Sequence, residues 1–249
     1  MLVILGSAED RLTAEVHQRA ASSAGPVLLL GESELFGATP FRLEISGAER
    51  SGFLQRDGGA IALNEISGVL FRLPRLWWPS PQFDVQDQVF VYHETASSWF
   101  CLLSGLACVQ INRFGLGWWV HDCCYPDQLR EQVAGRLGVA AVEPPLTDQR
   151  AVRVFPTPVT EAADARHVYV IGDTVLPRTA ADNQIAAQVK GRRSALAQWQ
   201  QLSGISFCRL DFRQNRTLEL AYVEPMPMVD DEPPEIAAKV ADEIARRLL

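Results

Sequence analysis

Hydrophobic and polar positions alternate along this chain in two distinct periods. Residues 2–5, LVIL, are a short apolar run closed by Gly6, and residues 27–30, VLLL, are a second. Between them Val16 and Ala20 lie four apart and Gly25 marks a helix stop, so the opening predicts strand–helix–strand with a parallel strand pair. Residues 41–72 change period. FRLEIS, GFLQRD, GGAIAL and GVLFRL are short alternating segments that predict strands, with a hairpin at Asp57-Gly58-Gly59. From Val85 to Leu106 the period turns helical, with Phe90, Glu94, Trp99, Leu102, Leu103 and Leu106 at spacings of three to five. CVQIN at 108–112 predicts a buried strand. PDQLREQVAGRLGV at 126–139 predicts a helix with proline at its start and Gly138 at its end.

The second half repeats both signals. Residues 140–160 carry several prolines and predict a connector, with a domain boundary near residue 140. HVYVIGDTVLP at 167–177 predicts a hairpin around Gly172-Asp173, and 184–203 one helix. ISFCRLDF and TLELAYVE predict two strands joined by the polar turn RQNR. In the closing PPEIAAKVADEIARRLL, Ile236, Val240, Ile244 and Leu248 form one apolar stripe under a charged face. The chain shows no internal repeat and no low-complexity tract.

Composition narrows the function classes. The 249 residues are 47% hydrophobic and 21% charged, ordinary for a soluble globular protein. A net charge of −7 argues against a phosphate-tracking surface, so no nucleic-acid partner is expected. No apolar run reaches the roughly 18 residues of a membrane span. The opening MLVILGSAEDR lacks a basic n-region, and its apolar run is too short for a signal peptide. Cys101, Cys108, Cys123, Cys124 and Cys208 are odd in number and mostly set in apolar stretches, which predicts reduced thiols and a cytoplasmic setting. Lys190 and Lys239 are the only lysines, so a mechanism that needs a lysine has two candidates.

Several clusters carry candidate chemistry, each beside a plainer reading. Asp211 and Glu224 fall near equivalent places on the last two strands, where paired carboxylates hold a divalent cation. Arg72 and Arg75, followed by Trp77 and Trp78, suit an anion or peptide pocket, because arginine grips carboxylates through a bidentate fork. The alternative makes Arg72 a structural ion pair and the tryptophans a cover over a sheet edge. Lys190, Arg192 and Arg193 are candidates for phosphate contact, or else a solvated helix end. His121-Asp122-Cys123-Cys124 lacks the CxxC spacing of a metal cluster, and no motif supports a cysteine nucleophile with His93 or His121. Asp230-Asp231-Glu232 reads as a solvated cap for the last helix.

The order of these segments resembles ATP-grasp proteins of the ribosomal-protein-glutamate-ligase and microviridin-ligase type. The resemblance rests on LVILGSAEDRLTAEV, GVLFRLPR, HETASSWFCLLSGLACVQIN, HVYVIGDTVLP and LSGISFCRLDF…LELAYVEPMP. It implies an α/β fold: a pre-ATP-grasp-like α/β domain over residues 1–140, then a reduced ATP-grasp-like α+β core over 141–249. It also implies Mg-ATP as cofactor, with magnesium on Asp211 and Glu224; beside it, Lys190 and Arg192 are read as candidates for the nucleotide and Arg72 and Arg75 for substrate. Three departures stand against that chemistry. Tyr125 or a neighbour in CCYPDQL stands where the family has a lysine. Only about twenty residues separate EPPLTDQ from HVYVIGD, where the family has one jaw of its ATP clamp. The family's Glu-x-Asn before proline reads Tyr222-Val223-Glu224.

Two readings follow. One is a non-catalytic protein that binds a small-molecule carboxylate or a peptide, an accessory of a peptide-modification pathway, as a homodimer or not. The other is an ATP-dependent carboxylate–amine ligase with a minimal nucleotide site, where Lys190 or an arginine replaces the missing lysine, or a second chain supplies the missing wall. A generic hydrolase or transferase that uses the cleft without nucleotide is a third class.

Overall fold

The computed structural model describes residues 1–23, 25–31, 34–35, 41–46, 49–56, 59–73, 84–113, 126–142, 165–214 and 216–249. They fall into two compact units: residues 1–120 together with 228–249, and residues 121–227.

The first unit is built on a parallel sheet of β1 (Leu2–Leu5), β2 (Val27–Leu30), β6 (Gly68–Phe71) and β7 (Val109–Ile111), ordered β2-β1-β6-β7. β1 and β6 are central and buried at every position, which is why LVIL and GVLF show no alternation. β7 lies at the edge. Ile111 is buried but Val109 is 52% exposed, so this strand is covered less fully than its apolar sequence predicts. A separate antiparallel sheet holds β3 (Phe41–Ser46), β4 (Glu49–Arg56) and β5 (Gly59–Ala62). The register pairs Arg56 with Gly59, so Gly59 of the hairpin expected at Asp57-Gly58-Gly59 is the first residue of β5, while Asp57 and Gly58 lie outside the described residues.

Helix α1 (Arg11–Ser23) is started by Asp10, whose carboxylate accepts the Thr13 backbone N–H at 3.2 Å. Its buried face, Leu12, Thr13, Val16 and Ala20, packs against α6 (Pro234–Leu248). The α6 stripe of Ile236, Val240, Ile244 and Leu248 is buried as its period predicts. The last helix therefore belongs to the first unit, whereas the sequence reading groups it with the second half of the chain. Gly68 permits this return, because a Cβ there would come within 2.8 Å of the Leu248 carbonyl oxygen. Helix α2 (Val85–Ser104) is capped by Asp84 and buries Ala96, Trp99, Leu102 and Leu103. Trp99 donates its indole N–H to the Leu35 carbonyl at 3.0 Å. The expected apolar face is thus only half realised, since Phe90 is 65% exposed.

The second unit is a five-stranded sheet ordered β10-β9-β11-β12-β8. Its strands are β8 (Ala140–Ala141), β9 (Ala165–Ile171), β10 (Thr174–Pro177), β11 (Phe207–Gln214) and β12 (Leu218–Glu224). All pairings are antiparallel except β12 with β8. Val168, Val170, Cys208, Leu210, Phe212, Leu220 and Val223 are buried. Helix α3 (Pro126–Leu137) packs on β12, α4 (Asn183–Gly191) on β10, and α5 (Arg193–Ser203) on α3. The single helix expected over 184–203 is broken at Arg192, which leaves helical geometry directly after Gly191. Gly204, at φ 75°, closes α5 in the left-handed region that glycine enters freely. The connector expected at 140–160 lies mostly outside the described residues.

Candidate functional site

Two groups of polar side chains stand out, one in each unit. In the first unit, Gly6, Asp10 and Arg72 gather at the carboxyl ends of β1 and β6. Arg72 is only 5% exposed, and its guanidinium grips Asp10 through two bonds, Nε to Oδ2 at 2.9 Å and Nη2 to Oδ1 at 3.0 Å. Asp10 Oδ2 also accepts the Thr13 hydroxyl at 2.6 Å. Burial opposes ionisation of Asp10, but the Arg72 hydrogen bond and charge outweigh it, and the carboxyl is held below its ordinary value. A side chain spent this way ties the start of α1 to the end of β6. Arg72 thus forms the structural ion pair that is one of its two readings from the sequence. Arg75, Trp77 and Trp78 lie outside the described residues.

In the second unit the chemistry sits on one face of the sheet. Strand alternation puts Arg209 and Asp211 on the same side of β11. The antiparallel register sets Asp211 opposite His167 of β9 and Tyr222 of β12, and Arg209 opposite Tyr169 and Glu224. A register shift after Asp211 takes the pairing from Tyr222 directly to Leu220 opposite Phe212. That irregularity keeps Tyr222 and Glu224 on the polar face while Leu220 and Val223 stay buried.

The resulting cluster is tightly bonded. Asp211 is 3% exposed, and Oδ1 accepts the Arg209 Nε–H at 2.8 Å and the His167 Nδ1–H at 2.7 Å. Its Oδ2 accepts Arg209 Nη2 at 3.1 Å. Burial works against the Asp211 charge, but the His167 hydrogen bond and the Arg209 guanidinium prevail, and its pKa is lowered. Glu224 goes the other way. Burial raises its pKa, despite the Met226 backbone N–H at 3.3 Å and a hydrogen bond with Tyr222. The Tyr222 phenol is pushed up by burial and by the two carboxylates, so it stays protonated. The Cys208 thiol is pushed up by its full burial and is no nucleophile.

This donor set does not fit the magnesium that the resemblance implies. Mg²⁺ demands several oxygen ligands in near-octahedral array. Asp211 has both oxygens engaged by cationic or N–H donors, burial opposes the charge of Glu224, and Tyr222 is a neutral phenol. Among the described residues, no group of three or more His, Cys, Asp or Glu side chains is placed to hold a metal ion. Lys190 and Arg192 are exposed, at the end of α4 and at its break from α5. Sequence reasoning finds Asp211 and Glu224 but misses Arg209 and His167. The signal for Arg209 is present: two residues before Asp211 on a strand is the same face. The signal for His167 is not, because it depends on the register between β9 and β11.

No protein-family model and no curated protein matches the sequence. Solved structures do. The macrocyclase MdnC of Microcystis aeruginosa MRC, solved with the precursor peptide MdnA, is 13% identical with a TM-score of 0.69, covering 100% of this chain and 99% of that one. A RiPP-associated ATP-grasp ligase of Chryseobacterium gregarium, solved with ADP and a leader and core peptide, is 8% identical with a TM-score of 0.65, covering 99% and 96%. The ATP-grasp ligase PsnB, with a phosphomimetic variant of its minimal precursor, Mg and ADP, is 14% identical with a TM-score of 0.60, covering 100% and 97%. The chain has the ATP-grasp fold.

Proposed function

We propose that this chain with an ATP-grasp fold is a non-catalytic protein that binds a peptide or a small-molecule carboxylate in a peptide-modification pathway. One observation carries the non-catalytic part. The carboxylate expected to hold the metal of a nucleotide is gripped by the Arg209 guanidinium and hydrogen-bonded to His167 of its own sheet. Phosphoryl transfer depends on cations placed against the transferring charge, and a carboxylate already bonded to a guanidinium contributes no metal to that task. Support for a peptide ligand comes from the structural neighbours, each solved with a precursor or leader peptide.

The test is a pair of titrations of the purified protein. Magnesium-dependent ATP turnover, assayed in wild type and in Asp211→Ala, is expected to be absent from both. A synthetic peptide rich in Glu and Asp is expected to bind saturably, with or without Mg-ATP. ATP turnover that Asp211→Ala abolishes would instead establish the ligase reading, with Asp211 as a metal ligand.

A further inference from the structure

We propose that Arg209 is a tethered cation that closes the acidic face of β11 and β12 to divalent metals. The proposal deepens the non-catalytic reading and rests on it only in naming the same site. Three features of the geometry meet at this residue. Arg209 forms a bidentate pair with Asp211, at 2.8 and 3.1 Å, from two positions earlier on the same strand. It is also the register partner of Glu224 on β12, so the guanidinium that grips Asp211 rises from the same sheet face, on the strand beside the second carboxylate of the implied metal site. Its side chain is 16% exposed and that of Asp211 4%, so little water screens the pair.

The chemistry of the side chain makes this closure durable. Guanidinium stays protonated at any pH at which the protein is folded, and its planar fork matches a carboxylate. A carboxylate offers about four lone-pair sites. Arg209 and His167 fill three of them on Asp211. A metal ion would have to strip these bonds and then sit beside a fixed positive charge. Removing the guanidinium while keeping Asp211 and Glu224 removes that charge and leaves the His167 bond on Asp211 Oδ1, with both acids on one face of neighbouring strands.

Manganese(II) is the probe, since it takes the oxygen ligands of magnesium and its free ion is counted by electron paramagnetic resonance. Wild type and Arg209→Lys, which keeps the charge, are expected to leave the ion free. Arg209→Gln is expected to bind it at least about ten-fold more tightly than wild type, the gain from removing one nearby like charge. Adding Asp211→Asn to Arg209→Gln is expected to abolish the gain. Arg209→Met, which keeps the apolar stem, serves if the glutamine variant does not fold by circular dichroism. Saturable uptake by wild type that Asp211→Asn removes would overturn the proposal. So would a folded Arg209→Gln or Arg209→Met with no gain. Failure here is separable from failure of the functional reading, because ATP turnover and peptide binding are measured on wild type without manganese.

Discussion

Asp211 and Glu224 lie on neighbouring strands of one sheet face, yet burial and bonding drive their ionisation in opposite directions. Asp211 is lowered from its ordinary value near 3.8, so the stability it contributes is present above that value and lost as pH falls through its lower folded value. Glu224 is raised from its ordinary value near 4.5, so its ionisation costs stability as pH climbs from there through its folded value. Two variants separate these effects. Asp211→Ala is expected to destabilise the chain by about 3–5 kcal/mol at neutral pH, because it removes the bidentate partner of the largely buried Arg209 charge. Glu224→Gln is expected to stabilise the protein at neutral pH and to change little near pH 4. Urea unfolding at both pH values checks both statements; equal losses for the two variants would mean that the carboxylates share one environment. Sequence reasoning reaches the two acids through their positions on predicted strands. It cannot rank them, because the ranking depends on a histidine more than forty residues away in the chain and on a strand register.

At the scale of elements, legibility follows the period of the pattern. The four-residue spacing of Ile236, Val240, Ile244 and Leu248 predicts α6 and its buried face, since only one helical stripe fits those positions. The unbroken runs LVIL and GVLF predict strands covered on both faces. Phe90 misleads, because spacing alone does not say which apolar positions meet a partner. The break at Arg192 is equally hidden, although Gly191 marks the place where helix propensity is weakest. Within α6, Ile244→Ala is expected to cost about 2–5 kcal/mol. At the end of α5, Gly204→Ala is expected to cost about 1–2 kcal/mol, since a side chain is forced to φ 75°. Thermal unfolding of each variant checks the values. A loss below half a kcal/mol at Ile244 would mean that the α1–α6 contact contributes little.

For the whole molecule, the decisive feature is the return of the last helix to the first unit. No periodicity could show it, because an amphipathic stripe names a buried face and not the element that buries it. Burying a large aliphatic side chain is worth roughly 1.5–3 kcal/mol. The four α6 side chains therefore supply an amount comparable with the roughly 5–15 kcal/mol of a whole domain. Removing residues 228–249 is expected to leave the parallel sheet uncovered, with dye binding to exposed apolar surface and no cooperative unfolding of that unit. A truncated chain that melts cooperatively would contradict this. The neighbours with the ATP-grasp fold cover the whole chain, and on the polar face of β11 and β12 the carboxylate of Asp211 is bonded within its own sheet. The most direct measurement is calorimetric titration of Mg-ATP into the wild-type protein. No saturable heat from folded protein is predicted, because Asp211 is already bonded to Arg209 and His167. Micromolar binding that disappears in an Asp211→Ala variant shown to be folded would contradict the account and make these strands a working metal site.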